Sequence, residues 1–145
     1  MARENPLINP AQNFNNAIYV HGMGHFHPEN VIDNSFLESI GLDTSDEWIM
    51  ERVGIRNRRT VLTLDYIRET QNSDIRKAPE AAQYNNAQTG KIAAEMALMN
   101  AGISASEVGM VLAGGCSPDI VAPAEASRIA HALGIQALCM DLNTA

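Results

Sequence analysis

Towards its end the chain alternates in a way that leaves few architectures open. Residues 110–113 read Met-Val-Leu-Ala without a polar interruption, Gly114 and Gly115 break the run, 126–133 is helical in pattern and closes at Gly134, and a second strand over 137–141 is apolar up to Asp141. Two strands separated by a helix cannot form a hairpin, so the pattern calls for right-handed crossovers and parallel pairing. Short strands that are apolar throughout are expected to be covered on both faces. The expectation is an α/β layer structure with a mainly parallel central sheet. Ligands to such sheets sit beyond the carboxyl ends of the strands, which directs attention to the loops over 114–123 and 141–145.

Residues 1–16, with Pro6, Pro10 and a run of Asn, read as an extended arm. A strand is expected over 17–23, followed by Gly24 and Pro28. Asn34 or Ser35 can cap a short helix to Ile40, with Gly41 at its left-handed C-terminal position. Thr44 and Glu47 frame a capping box for a helix over 45–52 that Gly54 stops. Residues 60–84 are polar and read as a surface excursion. Over 88–100, Ile92, Met96 and Met99 recur at helical spacing beside Ala93, Ala94 and Ala97, which predicts a buried helix ended by Gly102. Ser104 and Glu107 frame a second capping box, and Pro123 stands at the head of the next helix. The division is thus an arm over 1–16 and one folded unit over 17–145, and 145 residues with 46% hydrophobic content suffice for one core.

A net charge of −7 excludes the basic footprint that nucleic acid or an anionic membrane requires. No run approaches the roughly 20 apolar residues of a membrane span, and 1–16 lacks an apolar signal core, so a cytoplasmic protein is expected. Cys116 and Cys139 stand in apolar segments and read as reduced, partly buried thiols rather than a disulfide.

The chemistry concentrates in 43–59. Thr44, Trp48 and Arg52 are spaced four apart, and on one helix they form a stripe of hydroxyl, aromatic face and guanidinium. Trp offers a flat surface to a heteroaromatic ring, and Arg can stack on it or fork onto phosphate. The plainer reading makes Thr44 a cap, Trp48 core and Arg52 solvated. Arg56, Arg58 and Arg59 add a basic cluster in an acidic chain, suited to phosphates or an acidic carrier, or merely solvated.

The whole string, Asp43-Thr44-Ser45-Asp46-Glu47-Trp48-Ile49 with Arg52, Gly54-Ile55-Arg56 and Arg58, resembles a segment of the ketoacyl-acyl-carrier-protein synthase III family of the thiolase-like superfamily. Gly22, Gly24 and Pro28, Ala101-Gly102-Ile103, Pro123, Leu133-Gly134-Ile135 and the final 140–145 extend the resemblance over most of the chain. It implies the N-terminal half of a layered αβαβα fold and an acyltransferase that condenses an acyl-coenzyme A primer with a malonyl-acyl-carrier protein. Thr44, Trp48 and Arg52 are implied to line the coenzyme A tunnel, with Trp48 and Arg52 against the adenine. The nucleophilic Cys is implied immediately after Ala145, with a His and an Asn further on, so no catalytic residue is expected within the chain. At the place of a bulky residue that closes the partner's acyl pocket stands Ala122, which leaves volume for a longer or branched primer. No cofactor is expected beyond coenzyme A thioester as substrate. The expected partners are acyl-coenzyme A, an acyl-carrier protein and a second copy in a homodimer. Acyl transfer to another nucleophile, or a non-catalytic binding half, are the alternatives.

Three further features invite other chemistry. His21, His25 and His27 with Glu29 could suggest a metal, but the spacing matches no zinc motif and ordinary loop histidines are the preferred reading, with no metal expected. Cys116 follows a strand and a Gly pair, yet no base lies near it in sequence, and a small buried residue beside the pocket is preferred to a nucleophile. Gly114-Gly115 lacks the remaining glycines of a dinucleotide fingerprint.

Overall fold

The computed structural model describes residues 18–71 and 73–143, so the arm over 1–16 lies outside the described residues. The later part is the expected strand–helix–strand unit. Strand β3 (Met110–Gly114) pairs in parallel with β4 (Leu138–Leu142), Met110 opposite Leu138 and Gly114 opposite Leu142. Helix α6 (Glu125–Leu133) makes the connection and closes at Gly134, whose φ of 70° is a left-handed conformation that costs a glycine little. Ala124, the residue before α6, has no side chain to cap it. The carboxylate of Asp141 on β4 does so instead, accepting from the backbone N–H of Glu125 and of Ala126 at 2.8 Å each. The strand therefore fixes where the helix starts.

The sheet departs from the expected two-sided cover. Val111, Ala113, Cys139 and Asp141 form its less exposed face, the side of α6, whereas Met110, Leu112, Leu138, Met140 and Leu142 are about half exposed. Alternation is what a strand with one covered face produces, because successive side chains point to opposite sides.

Helix α5 (Asn86–Ala101) packs against α6 and begins in a capping box, Asn85 accepting from the Gln88 N–H while Gln88 accepts from the Asn85 N–H. It is less buried than its pattern predicts: Ala87 is its buried residue, and Met99 is 72% exposed. Its other companion is the segment from Ile18 to Pro28. That segment is not the strand expected over 17–23; Ile18, Tyr19 and Val20 stand in solvent. It is nonetheless extended, with exposure alternating from Gly22 onward, and it lies directly on α5. A Cβ on Gly24 would fall 2.0 Å from the Ala93 carbonyl oxygen, and one on Gly22 2.4 Å from that of Ala97. Backbone approaches backbone there, which only glycine permits.

An antiparallel pair precedes this layer, β1 (Asn30–Asp33) with β2 (Asn57–Thr60), Asn30 opposite Thr60 and Asp33 opposite Asn57. Between them lie α1 (Asn34–Ser39) and α2 (Asp46–Arg52). The caps shift by one residue from expectation: Asp33 accepts from the Phe36 N–H at 2.7 Å, and Ser45, not Thr44, accepts from the Trp48 N–H at 3.1 Å. Both cap oxygens sit three residues ahead of the N–H they satisfy.

Residues 60–84 are more regular than their polarity suggests. Thr63 caps α3 (Leu64–Thr70), which packs on β1 and sets the Arg68 guanidinium 5.3 Å from the Phe36 ring centroid, and α4 (Ala78–Ala81) follows. For α3, contact with β1 adds what the polar pattern alone does not supply.

Candidate functional site

Two places on the fold correspond to the positions where the sequence leads one to expect a ligand. The first is α2. Trp48 and Arg52 stand one turn apart, with the guanidinium 5.0 Å from the indole centroid, and Trp48 is 50% exposed. Trp48 is therefore half-buried rather than enclosed in a core, and an aromatic face backed by a cation is open to solvent. Thr44 is not on this helix. It precedes the Ser45 cap, and its Oγ1 is buried with no hydrogen-bond partner among the described residues.

The adjoining arginines divide by role. Arg58 donates to Asn34 Oδ1 at 2.6 Å, and Arg59 donates to the carbonyls of Pro28 and Glu29 at 3.1 and 3.2 Å. Both are occupied in fixing the chain. Arg56 lies 3.8 Å from Asp46, at the start of α2, in a loose, largely exposed pair. Beneath them Asn34, 2% exposed, donates to Asp46 Oδ1 at 2.7 Å and to the Ile55 carbonyl at 3.1 Å. This one amide ties α1, the start of α2 and β2 together, so it sets the platform's position.

The second place is the expected one, beyond the carboxyl ends of β3 and β4. A cavity of about 500 Å³ opens there, walled by Gly114, Cys116, Ser117, Glu125, Asp141 and Asn143 among others. Its loop is anchored to the start of α5: the Asn86 N–H donates to Asp119 Oδ2 at 2.9 Å, and Asn86 Nδ2 donates to the Ser117 carbonyl at 2.8 Å. Arg128 donates to Asp119 Oδ2 at 2.9 Å and to Glu125 Oε1. The hydrogen bond to Asp119 comes first among the causes that raise the guanidinium's pKa above its ordinary value. Sequence reading singled out neither Glu125, Arg128 nor Asp119. The Glu125–Arg128 spacing of three on a helix was the available signal.

Of the remaining expectations, Cys116 does flank the cavity but is exposed rather than buried, while Cys139 is half-buried with its thiol 3.4 Å from the Ala137 carbonyl; both are free. Ala122 is exposed and lies outside the cavity wall; the exposed Trp48 and Arg52 and the half-buried Thr44 lie outside it too. His25 and His27 have ring centroids 5.2 Å apart, and Glu29 accepts from the Tyr84 hydroxyl at 3.1 Å, which raises the phenol pKa. Among the described residues no three potential ligands gather as a metal would need, and no helix is long and apolar enough to cross a membrane.

No family model matches the chain. It is 33% identical over 128 residues to the beta-ketoacyl-[acyl-carrier-protein] synthase III of Oleidesulfovibrio alaskensis, a match covering 88% of this chain and 33% of that protein. The chain is a synthase III homologue. It spans about a third of the length of the curated relatives it matches. Among solved structures, 3-oxoacyl-(acyl carrier protein) synthase III from Pseudomonas aeruginosa is 33% identical, with a TM-score of 0.63 over 85% of this chain and 32% of that one. The priming beta-ketosynthase of a polyketide biosynthetic pathway gives a TM-score of 0.61 at 25% identity, over 85% and 32%. The fold of this synthase III homologue is accordingly part of the thiolase-like α/β architecture.

Proposed function

We propose that this chain is the coenzyme A-binding part of an acyltransferase of fatty-acid or polyketide biosynthesis. In that reaction a Cys thiolate, expected next after Ala145, attacks the thioester carbonyl of an acyl-coenzyme A. The carbon–sulfur bond breaks, coenzyme A leaves as its thiol, and the acyl group rests on the Cys. A malonyl group on a carrier protein then loses carbon dioxide, and its carbanion attacks the acyl carbonyl, releasing the Cys thiolate.

The observation that supports this reading best is Arg52 stacked on a half-exposed Trp48, in a chain homologous to synthase III proteins. Trp48 and Arg52 serve the adenine, Arg56 meets a phosphate oxygen, and Thr44 lines the same tunnel. The cavity beyond β3 and β4 serves the acyl end, near the expected nucleophile, and Ala122 leaves room for a larger primer in the pocket of a second copy. No cofactor takes part. A cytoplasmic homodimer working with an acyl-carrier protein completes the reading.

Incubating the full-length polypeptide with an acyl-coenzyme A and measuring its intact mass tests this. One acyl mass should be added and then discharged by malonyl-carrier protein with release of carbon dioxide. A polypeptide that binds coenzyme A but never acquires the acyl mass would be a binding half instead.

A further inference from the structure

A second cavity lies beside the one beyond β3 and β4, and the residues over 61–84 build most of its wall. The Gln83 N–H donates to the Val61 carbonyl at 2.8 Å, which closes that excursion at its base. Within it Val61, Leu62, Ile75, Ala78, Pro79 and Ala82 line a space of about 500 Å³, the size of a small-ligand site. Ile75 is 70% exposed, and Ile120, where the loop after β3 joins the wall, is 44% exposed. Large apolar side chains left in water on a concave surface favour an apolar occupant.

The polar groups on this wall are already engaged. The Tyr84 hydroxyl donates to Glu29 at 3.1 Å, Asn85 accepts from the Gln88 N–H at 2.9 Å, and Asn86 Nδ2 donates to the Ser117 carbonyl at 2.8 Å. Asp119 accepts from the Asn86 N–H and from Arg128, which also donates to Glu125. Only the Glu80 side chain, exposed on α4, has no partner among the described residues. A wall whose polar groups hold one another offers a ligand chiefly its apolar surface, so an occupant with polar groups of its own would lose their hydration for little return.

The two cavities meet at Asn86, which lines both. Ser117 and Pro118 line the first and Asp119 and Ile120 the second, so the partition is the start of α5 clasped to one loop. We propose that an acyl chain too long for the first cavity continues past Asn86 into the cavity of the 61–84 excursion, so that the protein takes unsubstituted aliphatic acyl groups of medium length. The inference rests on the acyl-coenzyme A reading above. Its route is separate from one past Ala122, which lines neither cavity.

The test uses the full-length polypeptide with butyryl-, hexanoyl-, octanoyl- and decanoyl-coenzyme A at limiting concentration, following acylation rate by intact mass. Each methylene that becomes buried should raise the rate by up to about fourfold, so octanoyl should react about 10-fold faster than butyryl or more. In Ala78→Trp the indole fills the second cavity, and the rise should end at a shorter chain while butyryl reacts as in wild type. Ile75→Asp, at a largely exposed residue, puts a carboxylate on the same wall without removing a core side chain and should act alike. Equal wild-type rates from butyryl to decanoyl overturn the inference, whether or not a variant folds, and leave the acyltransferase reading standing. A wild-type length profile in both folded variants overturns it too, and so does a profile shortened by Ala122→Phe alone, which would send the chain towards the second copy. No acylation by any thioester overturns the acyltransferase reading itself.

Discussion

Replacing Trp48 by Ala separates the binding role of α2 from a structural one. With Trp48 50% exposed, only about half of a side chain of roughly 200 Å² is buried, so removal costs the fold at most about 2.5 kcal/mol. A typical domain, stable by about 5–15 kcal/mol, remains folded. Coenzyme A loses its stacking surface, about 1–2 kcal/mol, and Kd should rise roughly 5–30-fold. Arg52→Ala should act similarly. Because the guanidinium lies 5.0 Å from the indole, the two substitutions share a partner, and the double variant should lose less than their sum. Calorimetric titration of coenzyme A into wild type and the three variants, each first checked for a cooperative melt, measures this. Unchanged affinity in both folded single variants would refute the adenine platform. Unfolding of Trp48→Ala would show that the side chain serves packing despite its exposure.

Three further outcomes follow from the scaffold. Asn34→Leu removes a buried amide that donates to Asp46 and Ile55 and accepts from Arg58, and should destabilise by about 3 kcal/mol in chemical denaturation, with weaker coenzyme A binding as α2 shifts. Gly24→Ala drives a Cβ to within 2.0 Å of the Ala93 carbonyl oxygen, so the segment must leave α5, at a cost of about 1–3 kcal/mol by the same assay. The Phe36 N–H, then the Ser35 hydroxyl, hold the Asp33 carboxyl below the ordinary carboxylate pKa. The unfolded chain therefore binds this proton first as pH falls. The contribution of Asp33 is complete above the ordinary value, about 3.9, and is lost as pH drops through the lower folded value. Asp33→Asn keeps a cap that does not titrate, so its stability should fall less steeply than wild type below about pH 4. Parallel curves would remove Asp33 from the account.

Local signals were the most legible. Gly41, Gly102 and Gly134 all adopt the left-handed conformation expected after helices, and the Ser104–Glu107 capping box is present. Such features need only the residue and its neighbours. What failed depended on distant partners. The segment over 18–28 has strand composition, but a strand is defined by hydrogen bonds to another, and here α5 is its neighbour. Helix α3 arises in polar sequence with a Thr63 cap and packing on β1, which periodicity does not record, and the short α4 has a Pro in its first turn. At the site, three neighbouring arginines look equivalent in sequence; only their acceptors separate Arg58 and Arg59, which fix the chain, from Arg56, which is in a loose pair with Asp46.

The sequence by itself determined that the chain is α/β, that 110–113 and 137–141 pair in parallel across a helix, and that Trp48 and Arg52 share a helical face, since these follow from period and spacing alone. Only the tertiary structure decided that Asp141 caps α6 from 15 residues away along the chain, and that Asn86 holds the loop after β3 between two cavities. Hydrogen bonds between elements depend on where the backbone brings donors and acceptors in space, and no local pattern records that.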